Sequence, residues 1–338
     1  GFKVTNYISN SDTRIKNSTN IMLTGSCLVA NGYLDSGATL KDFSSSQAIT
    51  FNDAVNISGN VALNGNCVFN DTLNLSSNCT EFSQNGIVVK GDLVINDGSV
   101  TGIGNVDLRG DLAVNTDSFV ISNLVLNGMQ SQSINSNSSI SVNNFINHNR
   151  SVGGLTVNCK VYVSESLDNN TLPACKNGEN IVLTGEASVV GNKINASVSA
   201  GDWNLDSDLT VDGTLYTSGT IDFSAGVKAN VKDYYQSSGS LTVGEGAELN
   251  CSQSFYSAGT VSNSGTVNVK EDTVIKGAFS GGTLVCRGDI TASAELTPDT
   301  LEFNGVVSQS FTNSSSTNVK TLIINNNSKS GFTVGSVI

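Results

Sequence analysis

The feature that most constrains the fold of this chain is an internal duplication. Residues 124–157 and 301–334 align without a gap at an offset of 177, and 15 of the 34 positions are identical. A second match, at an offset of 160, places 19–25 over 179–185 and 41–53 over 201–213. Self-similarity at a fixed period is the signature of repeat proteins, in which each repeat packs against its neighbours. The sequence therefore predicts repeat units at 1–153 and 154–330 and the start of a third unit at 331–338.

Each unit also contains a finer rhythm of short alternating segments. The segment 91–95 recurs 19 residues later at 110–114, and 237–243 resembles 263–269 at a spacing of 26 residues. Apolar and polar residues alternate in these segments, and Gly, Asn, Asp and Ser stand between them, as in strands joined by turns. Repeats from about 20 residues suit one coil of a parallel β-solenoid. We therefore predict an all-β fold, a parallel β-helix forming an elongated rod, with ladders of stacked Asn, Ser and Val.

Composition favours the same architecture. The chain has 34 Gly and 2 Pro, only 6% of its residues are aromatic and 14% are charged, so small β-branched side chains must fill a narrow core. Antiparallel β-sandwich modules are the alternative. They would require Asn-Gly or Asp-Gly hairpin turns between paired strands, and most such dipeptides in this chain do not occupy that position.

The charge of the chain narrows its possible partners. The net charge is −12, from 17 basic and 29 acidic side chains, and no basic stripe is visible. Nucleic acids and anionic membrane surfaces are therefore poor partners. No apolar run reaches the ~18–20 residues of a membrane-spanning helix, so we expect no membrane insertion. We expect the chain to be part of a longer protein.

One motif of the duplication resembles a known class of proteins. Its pattern is Leu-x-[Leu/Phe]-Asn-Gly-x-x-x-Gln-x-[Ile/Phe] followed by [Phe/Leu]-Ile-x-x-Asn, at 124–149 and again at 301–326. It is similar to a recurring segment of secreted bacterial β-helix proteins, many of which are adhesin-like surface proteins. The resemblance implies a non-enzymatic structural or adhesion stalk segment of a large secreted or cell-surface bacterial protein. Its location would be extracellular, its partner a host or matrix glycan or protein, and no cofactor is expected.

Two other functions remain open. A polysaccharide-binding or polysaccharide-cleaving β-helix, acting as a glycoside hydrolase or lyase, would need a groove of carboxylates, basic residues and exposed aromatics. The only aromatic cluster that could serve it is 233–235 with 255–256 nearby. A phage-type fibre is the other alternative, and it would be expected to form a trimer.

The strongest acidic feature is the segment 202–212. If this segment is an extended strand, alternation directs four apolar side chains inward and four carboxylates outward; these are Trp203, Leu205, Leu209 and Val211, and Asp202, Asp206, Asp208 and Asp212. Two carboxylates two residues apart lie ~6.5–7 Å from each other, which would suit an inverting glycosidase or calcium. The first unit carries Ser46, Ala48 and Asn52 in place of three of these acids. We therefore interpret the acids as a solvated strand surface.

The remaining reactive residues predict no catalytic or metal site. His148 is the only histidine, and its counterpart in the second unit is Asn325, so no Ser-His-Asp or Cys-His arrangement is predicted. The seven cysteines have no CxxC spacing, which argues against a zinc site. Disulfides such as Cys67–Cys79 or Cys159–Cys175 are one possibility. Cys286 aligns with Leu108 and Cys27 with Ala187, however, which predicts that most of the cysteines are free, buried and apolar. The residues that bind a ligand, if any do, are not identified by the sequence.

Arg-Gly-Asp occurs twice, at 109–111 and 287–289. Gly-Asp followed by an apolar strand start also occurs at 91–93 after Lys90. Glycine permits a turn, and aspartate can bond its own backbone there. We interpret both motifs as turns that open a strand rather than as ligands for cell-surface receptors.

Overall fold

A computed structural model describes residues 1–10, 15–96, 100 and 102–337 of the chain. Two compact units are present: the first is Gly1–Val163 with Thr171–Asn180, and the second is Ser164–Asn170 with Ile181–Ile338. Helix in the described residues is limited to 3-10 turns at Ser18–Asn20, Gly178–Asn180 and Val190–Asn192. In the same part of the chain no helix has the length and apolarity required to cross a membrane. The division at residue 153, which concerns the duplication, stays a prediction.

The strands are short and occupy most of both units. Strands β1 to β18, in chain order, are Phe2–Val4, Tyr7–Asn10, Ile21–Gly25, Leu28–Leu34, Ala38–Ser45, Thr50–Phe51, Val55–Leu63, Cys67–Phe69, Leu73–Gln84, Ile87–Val89, Leu93–Ile95, Gly102–Leu108, Leu112–Val114, Phe119–Leu126, Gln132–Ser136, Ile140–Asn147, Leu155–Val157 and Val161–Asp168. Strands β19 to β39 are Ile181–Gly185, Ser188–Val189, Lys193–Ile194, Val198–Leu205, Leu209–Thr217, Thr220–Phe223, Lys228–Gln236, Ser240–Val243, Glu248–Cys251, Phe255–Ser257, Thr260–Asn263, Thr266–Val269, Thr273–Ile275, Phe279–Ser280, Thr283–Cys286, Ile290–Ala292, Leu296–Thr297, Thr300–Phe303, Gln309–Asn313, Thr321–Ile324 and Phe332–Val337.

In the first unit a strand pairs with the second strand that follows it, so each coil contributes two strands. The odd-numbered strands β1 to β17 form one nine-stranded sheet. Leu93 lies beside Leu73 on one side and beside Leu112 on the other, in parallel register. At ~4.8 Å between neighbouring strands, this sheet is about 40 Å across.

Part of the second unit has three strands in each coil. From β26 to β34 each strand pairs with the third strand that follows it. One row of buried side chains runs through Leu249, Val267, Leu284 and Leu301, each in parallel register with the next. Both units are therefore parallel β-solenoids; the first has two strands in each coil, and the second has three strands in each coil over β26 to β34.

These pairings confirm the predicted all-β parallel β-helix, and the antiparallel β-sandwich is wrong, because all pairings between described strands are parallel. The 19-residue spacing is confirmed as one coil, since Leu93 pairs with Leu112. The 26-residue spacing is not a coil repeat. Leu241 pairs with Val261, whereas Val267 pairs with Leu249, so the two similar segments lie on different faces of the coil.

The core of each unit is a narrow column of Leu, Val, Ile and Phe side chains. Alternate residues of nearly every strand are buried, as the binary pattern predicts. The few aromatic residues stack from coil to coil, as Phe51 does on Phe69 with ring centroids 5.4 Å apart. Small β-branched residues suffice because each coil encloses a narrow space.

Polar side chains stack in the same register outside the core. Asn74 donates to Asn56 at 3.2 Å, Asn96 donates to Asn74 at 2.6 Å, and Asn115 donates to Asn96 at 3.3 Å. Identical amides one coil apart can each donate and accept, so the ladder satisfies both groups. The predicted asparagine ladders are confirmed.

A buried glutamine explains the duplicated motif. In the first unit the Gln132 Nε2 donates to the carbonyls of Leu108 and Gly110, while its Oε1 accepts from the Gly128 amide and from Asn149 Nδ2. A Cβ on Gly128 would stand 2.6 Å from Gln132 Cδ, so only glycine fits there. The Asn-Gly-x-x-x-Gln pattern is therefore a side-chain staple between two coils, and Gln309 builds the same staple in the second unit.

Candidate functional site

The acidic segment 202–212 crosses a turn between two strands and is not one extended strand. β22 ends at Leu205 and β23 begins at Leu209. The predicted facing is nevertheless confirmed: Trp203, Leu205, Leu209 and Val211 are buried, and the four aspartates are exposed. The predicted separation of Asp206 and Asp208 assumed a strand, so it does not apply to these two residues.

Three of the four carboxylates have structural partners. Asp202 Oδ1 accepts the backbone amide of Thr220 at 2.8 Å, and Asp208 Oδ1 accepts that of Lys228 at 2.8 Å. Both amides belong to the following coil. Asp212 forms an ion pair with Lys193 at 3.1 Å. These carboxylates therefore join successive coils rather than converge on one reacting atom.

Calcium binding would need several oxygen ligands of this segment in one place. Across the described residues, no three His, Cys, Asp or Glu side chains come together in a way that would hold a metal ion.

Both Arg-Gly-Asp motifs occupy corners between two strands. The first lies between β12 and β13, and the second lies between β33 and β34. Asp111 Oδ1 accepts the amide of Ser133 at 2.7 Å, and Asp289 Oδ1 accepts the amide of Ser310 at 2.7 Å. The aspartate therefore bonds the next coil, and the prediction that it bonds its own backbone is corrected. Its partner is a backbone amide one coil away, which no local sequence pattern reveals.

The cysteines are all free and buried, as predicted. Desolvation raises the pKa of Cys79 and Cys159 to about 11 and that of Cys286 to about 12. A thiol that stays protonated is a poor nucleophile. His148 is exposed, and the residue that corresponds to it in the second copy of the duplication is Asn325. Nothing in these positions resembles a thiol or serine active site.

The aromatic cluster divides into an inner and an outer row. Tyr234 is buried, stacks on Phe255 and accepts a hydrogen bond from Thr217 Oγ1 at 3.1 Å. Tyr235 lies outside, with its ring centroid 4.6 Å from that of Tyr256 and the two planes 7° apart. Tyr216 also packs against Tyr235, with ring centroids 5.7 Å apart, and Lys276 Nζ lies 5.3 Å from the centroid of the Tyr256 ring. The outer row is therefore a stack of three tyrosines that ends on a cation.

A groove on the second unit lies beside the acidic segment. It encloses about 640 Å³, and Asp212 and Lys232 are among its lining residues. Sequence reasoning missed this groove, because its residues come from successive coils that are 17 to 20 positions apart in the chain.

Comparison of the chain with protein-family models, with curated proteins and with solved structures finds no match in any of the three.

Proposed function

We propose that this chain is a non-enzymatic structural segment, an adhesion stalk, of a larger secreted or cell-surface bacterial protein. The resemblance of the Asn-Gly-x-x-x-Gln motif to secreted bacterial β-helix proteins supports the bacterial and extracellular parts of this proposal. The polar exterior and the net charge of −12 favour solubility of such a segment.

One observation carries the structural role: side chains that elsewhere perform chemistry are used here to hold coils together. Asp202 and Asp208 accept amides of the next coil, and Gln132 and Gln309 staple carbonyls of the preceding coil. In a solenoid, stability is the sum of coil stabilities and nearest-neighbour contacts. Because these aspartates and glutamines are engaged in contacts between coils, we favour a supporting role over a catalytic one.

The test is reducing-sugar release from a panel of neutral and acidic polysaccharides. The wild-type chain and the Asp206→Asn/Asp208→Asn variant are compared, after circular dichroism has shown that both fold. We expect neither protein to release sugar above the buffer control. Turnover by the wild type that disappears in the variant would overturn the proposal in favour of a glycoside hydrolase or lyase.

Light scattering addresses the fibre alternative. A structural segment that acts within one chain predicts a monomer in dilute solution. A trimer that persists on dilution would instead favour a phage-type fibre.

A further inference from the structure

The groove on the second unit runs across successive coils and has a regular floor. Asn250 Nδ2 donates to Asn230 Oδ1 at 3.1 Å, and Asn268 Nδ2 donates to Asn250 Oδ1 at 2.7 Å. The ladder leaves two side-chain atoms, Asn230 Nδ2 and Asn268 Oδ1, with no hydrogen-bond partner among the described residues. One donor and one acceptor are therefore available at the two ends of the floor.

Three cations line the groove directly beside this floor. Val231, Cys251, Val269 and Cys286 form one row of buried strand positions. The residues that follow the first, third and fourth of them are the three cations, Lys232, Lys270 and Arg287. Lys232 and Lys270 are two coils apart, or about 10 Å along the stack, and Arg287 lies one coil, or about 5 Å, further. All three are exposed, and none forms an ion pair with a described residue. Their charges are therefore available to a ligand.

Most of the nearby acids have partners of their own. Asp212, which also lines the groove, pairs with Lys193 at 3.1 Å. Glu248 pairs with Lys228 at 3.0 Å, and that lysine lowers the pKa of the Glu248 carboxyl. Asp233 and Asp289, near Lys232 and Arg287 in the chain, accept backbone amides of the next coil, and Glu271, which follows Lys270, is exposed. The lining of the groove itself carries three cations and one carboxylate, that of Asp212, on a chain whose net charge is −12.

We propose that this groove binds a linear acidic glycan, one that carries a carboxylate or a sulfate on its sugar residues. The Lys232, Lys270 and Arg287 side chains would pair with the anionic groups, and the free amide groups of Asn230 and Asn268 would bond hydroxyls. The coils repeat every ~4.8 Å along the stack. Anionic groups that repeat along an extended sugar chain can therefore meet cations that repeat along the stack.

The charge of the chain distinguishes this ligand from a nucleic acid. Duplex DNA carries about one negative charge per 1.7 Å, and the acidic surface outside the groove would repel it. An acidic glycan has lower charge density and fits within the span of the three cations. The inference rests on the proposed function in one respect, namely that the glycan is held and not cleaved.

The experiment measures binding of fluorescein-labelled alginate oligosaccharides to the full chain by fluorescence polarisation. Dextran sulfate and uncharged dextran are the competitors that separate sulfate, carboxylate and plain sugar recognition. The groove variant is Lys232→Ala/Lys270→Ala/Arg287→Ala. The matched control is Lys90→Ala/Arg109→Ala, which removes cations from equivalent corners of the first unit, where Val88 and Asp107 replace the asparagine floor.

We expect the groove variant to bind alginate or dextran sulfate about tenfold more weakly, as the loss of three exposed charge contacts predicts, and the control to change less than twofold. Uncharged dextran should not compete. Equal weakening in the control, unchanged binding in the groove variant, or equally tight binding of DNA or poly-glutamate would each overturn the proposal. Chromatography of the recovered glycan separates the two proposals: cleavage with groove-dependent binding overturns only the non-enzymatic role, and absence of binding overturns only the glycan groove.

Discussion

The substitution Gln309→Leu tests the staple between coils. The Gln309 side chain is 1% exposed. Its Nε2 donates to the carbonyls of Cys286 and Gly288 at 3.1 and 2.9 Å. Its Oε1 accepts from the Gly305 amide at 2.9 Å and from Asn326 Nδ2 at 2.6 Å. Leucine occupies a similar volume, so the change removes these hydrogen bonds without opening a large cavity.

The decrease in the free energy of unfolding depends on which hydrogen-bond partners remain in the variant. The Cys286 carbonyl keeps the amide of Asn304, and Asn326 Nδ2 keeps the carbonyl of Val307. The Gly305 amide and the Gly288 carbonyl keep no partner among the described residues. At ~1–3 kcal/mol for each buried backbone group left unpaired, the free energy of unfolding should fall by about 2–6 kcal/mol.

The assay is equilibrium unfolding in urea followed by circular dichroism, with hydrogen exchange of peptides that cover 300–313 as the local readout. Gln132→Leu should produce a loss of similar size in the first unit. Ser308→Ala, at an exposed neighbouring position, is the control and should change the free energy by less than about 0.5 kcal/mol. A loss below about 1 kcal/mol for Gln309→Leu, with unchanged exchange of the Gly305 amide, would show that this side chain does not hold the two coils together.

Three further predictions follow from the buried thiols and the corners. The Cys286 thiol has a pKa of about 12 in the folded chain and ~8.5 in the unfolded chain. Above pH ~8.5 the unfolded state therefore loses its proton first, and the free energy of unfolding falls by about 1.4 kcal/mol per pH unit per thiol until pH ~12. Urea titrations should show a shallower fall of the free energy of unfolding with pH for Cys286→Ala, and an equal fall would contradict this. Asp289→Ala should lower the free energy of unfolding by about 1–2 kcal/mol because a charge-assisted bond to the next coil is lost. Asp206 accepts no such bond from a described residue, so Asp206→Ala should be neutral in the same urea assay. Arg109→Lys with Arg287→Lys should leave attachment of integrin-bearing cells at the background level of wild type, and attachment that the double variant abolishes would restore the receptor-ligand interpretation.

The solenoid could be predicted because its determinants are local. Alternation of apolar and polar residues, with turn residues every few positions, indicates strands, and the duplication indicates stacking. The inward facing of Trp203 and Leu209 followed from alternation even though the turn at 206–208 was missed. The prediction that a 26-residue spacing is one coil was wrong because all faces of a coil are built from the same residue types, Val, Leu, Asn and Ser. Two similar segments therefore need not lie on the same face.

The staple and the groove depend on register, which local patterns do not fix. A signal for the staple was present: Gln132 and Gln309 are retained in both copies of a motif whose outer positions vary. The groove gave no such signal, because Lys232, Lys270 and Arg287 become neighbours only once the coil lengths between them are known. The amides that bond to Asp111 and Asp289 could not be predicted for the same reason.

The register of parallel coils is tested most directly by a distance between two spin labels in the second unit. Asn230 and Glu302 lie four strand spacings apart in one row. Labels on Asn230→Cys/Glu302→Cys are measured by pulsed electron paramagnetic resonance, and unsubstituted chain treated in the same way controls for the native buried cysteines. Parallel stacking predicts one narrow distribution centred near ~19 Å, before allowance for the label arms. A centre beyond about 30 Å, or a broad distribution, would contradict the stacked-coil structure.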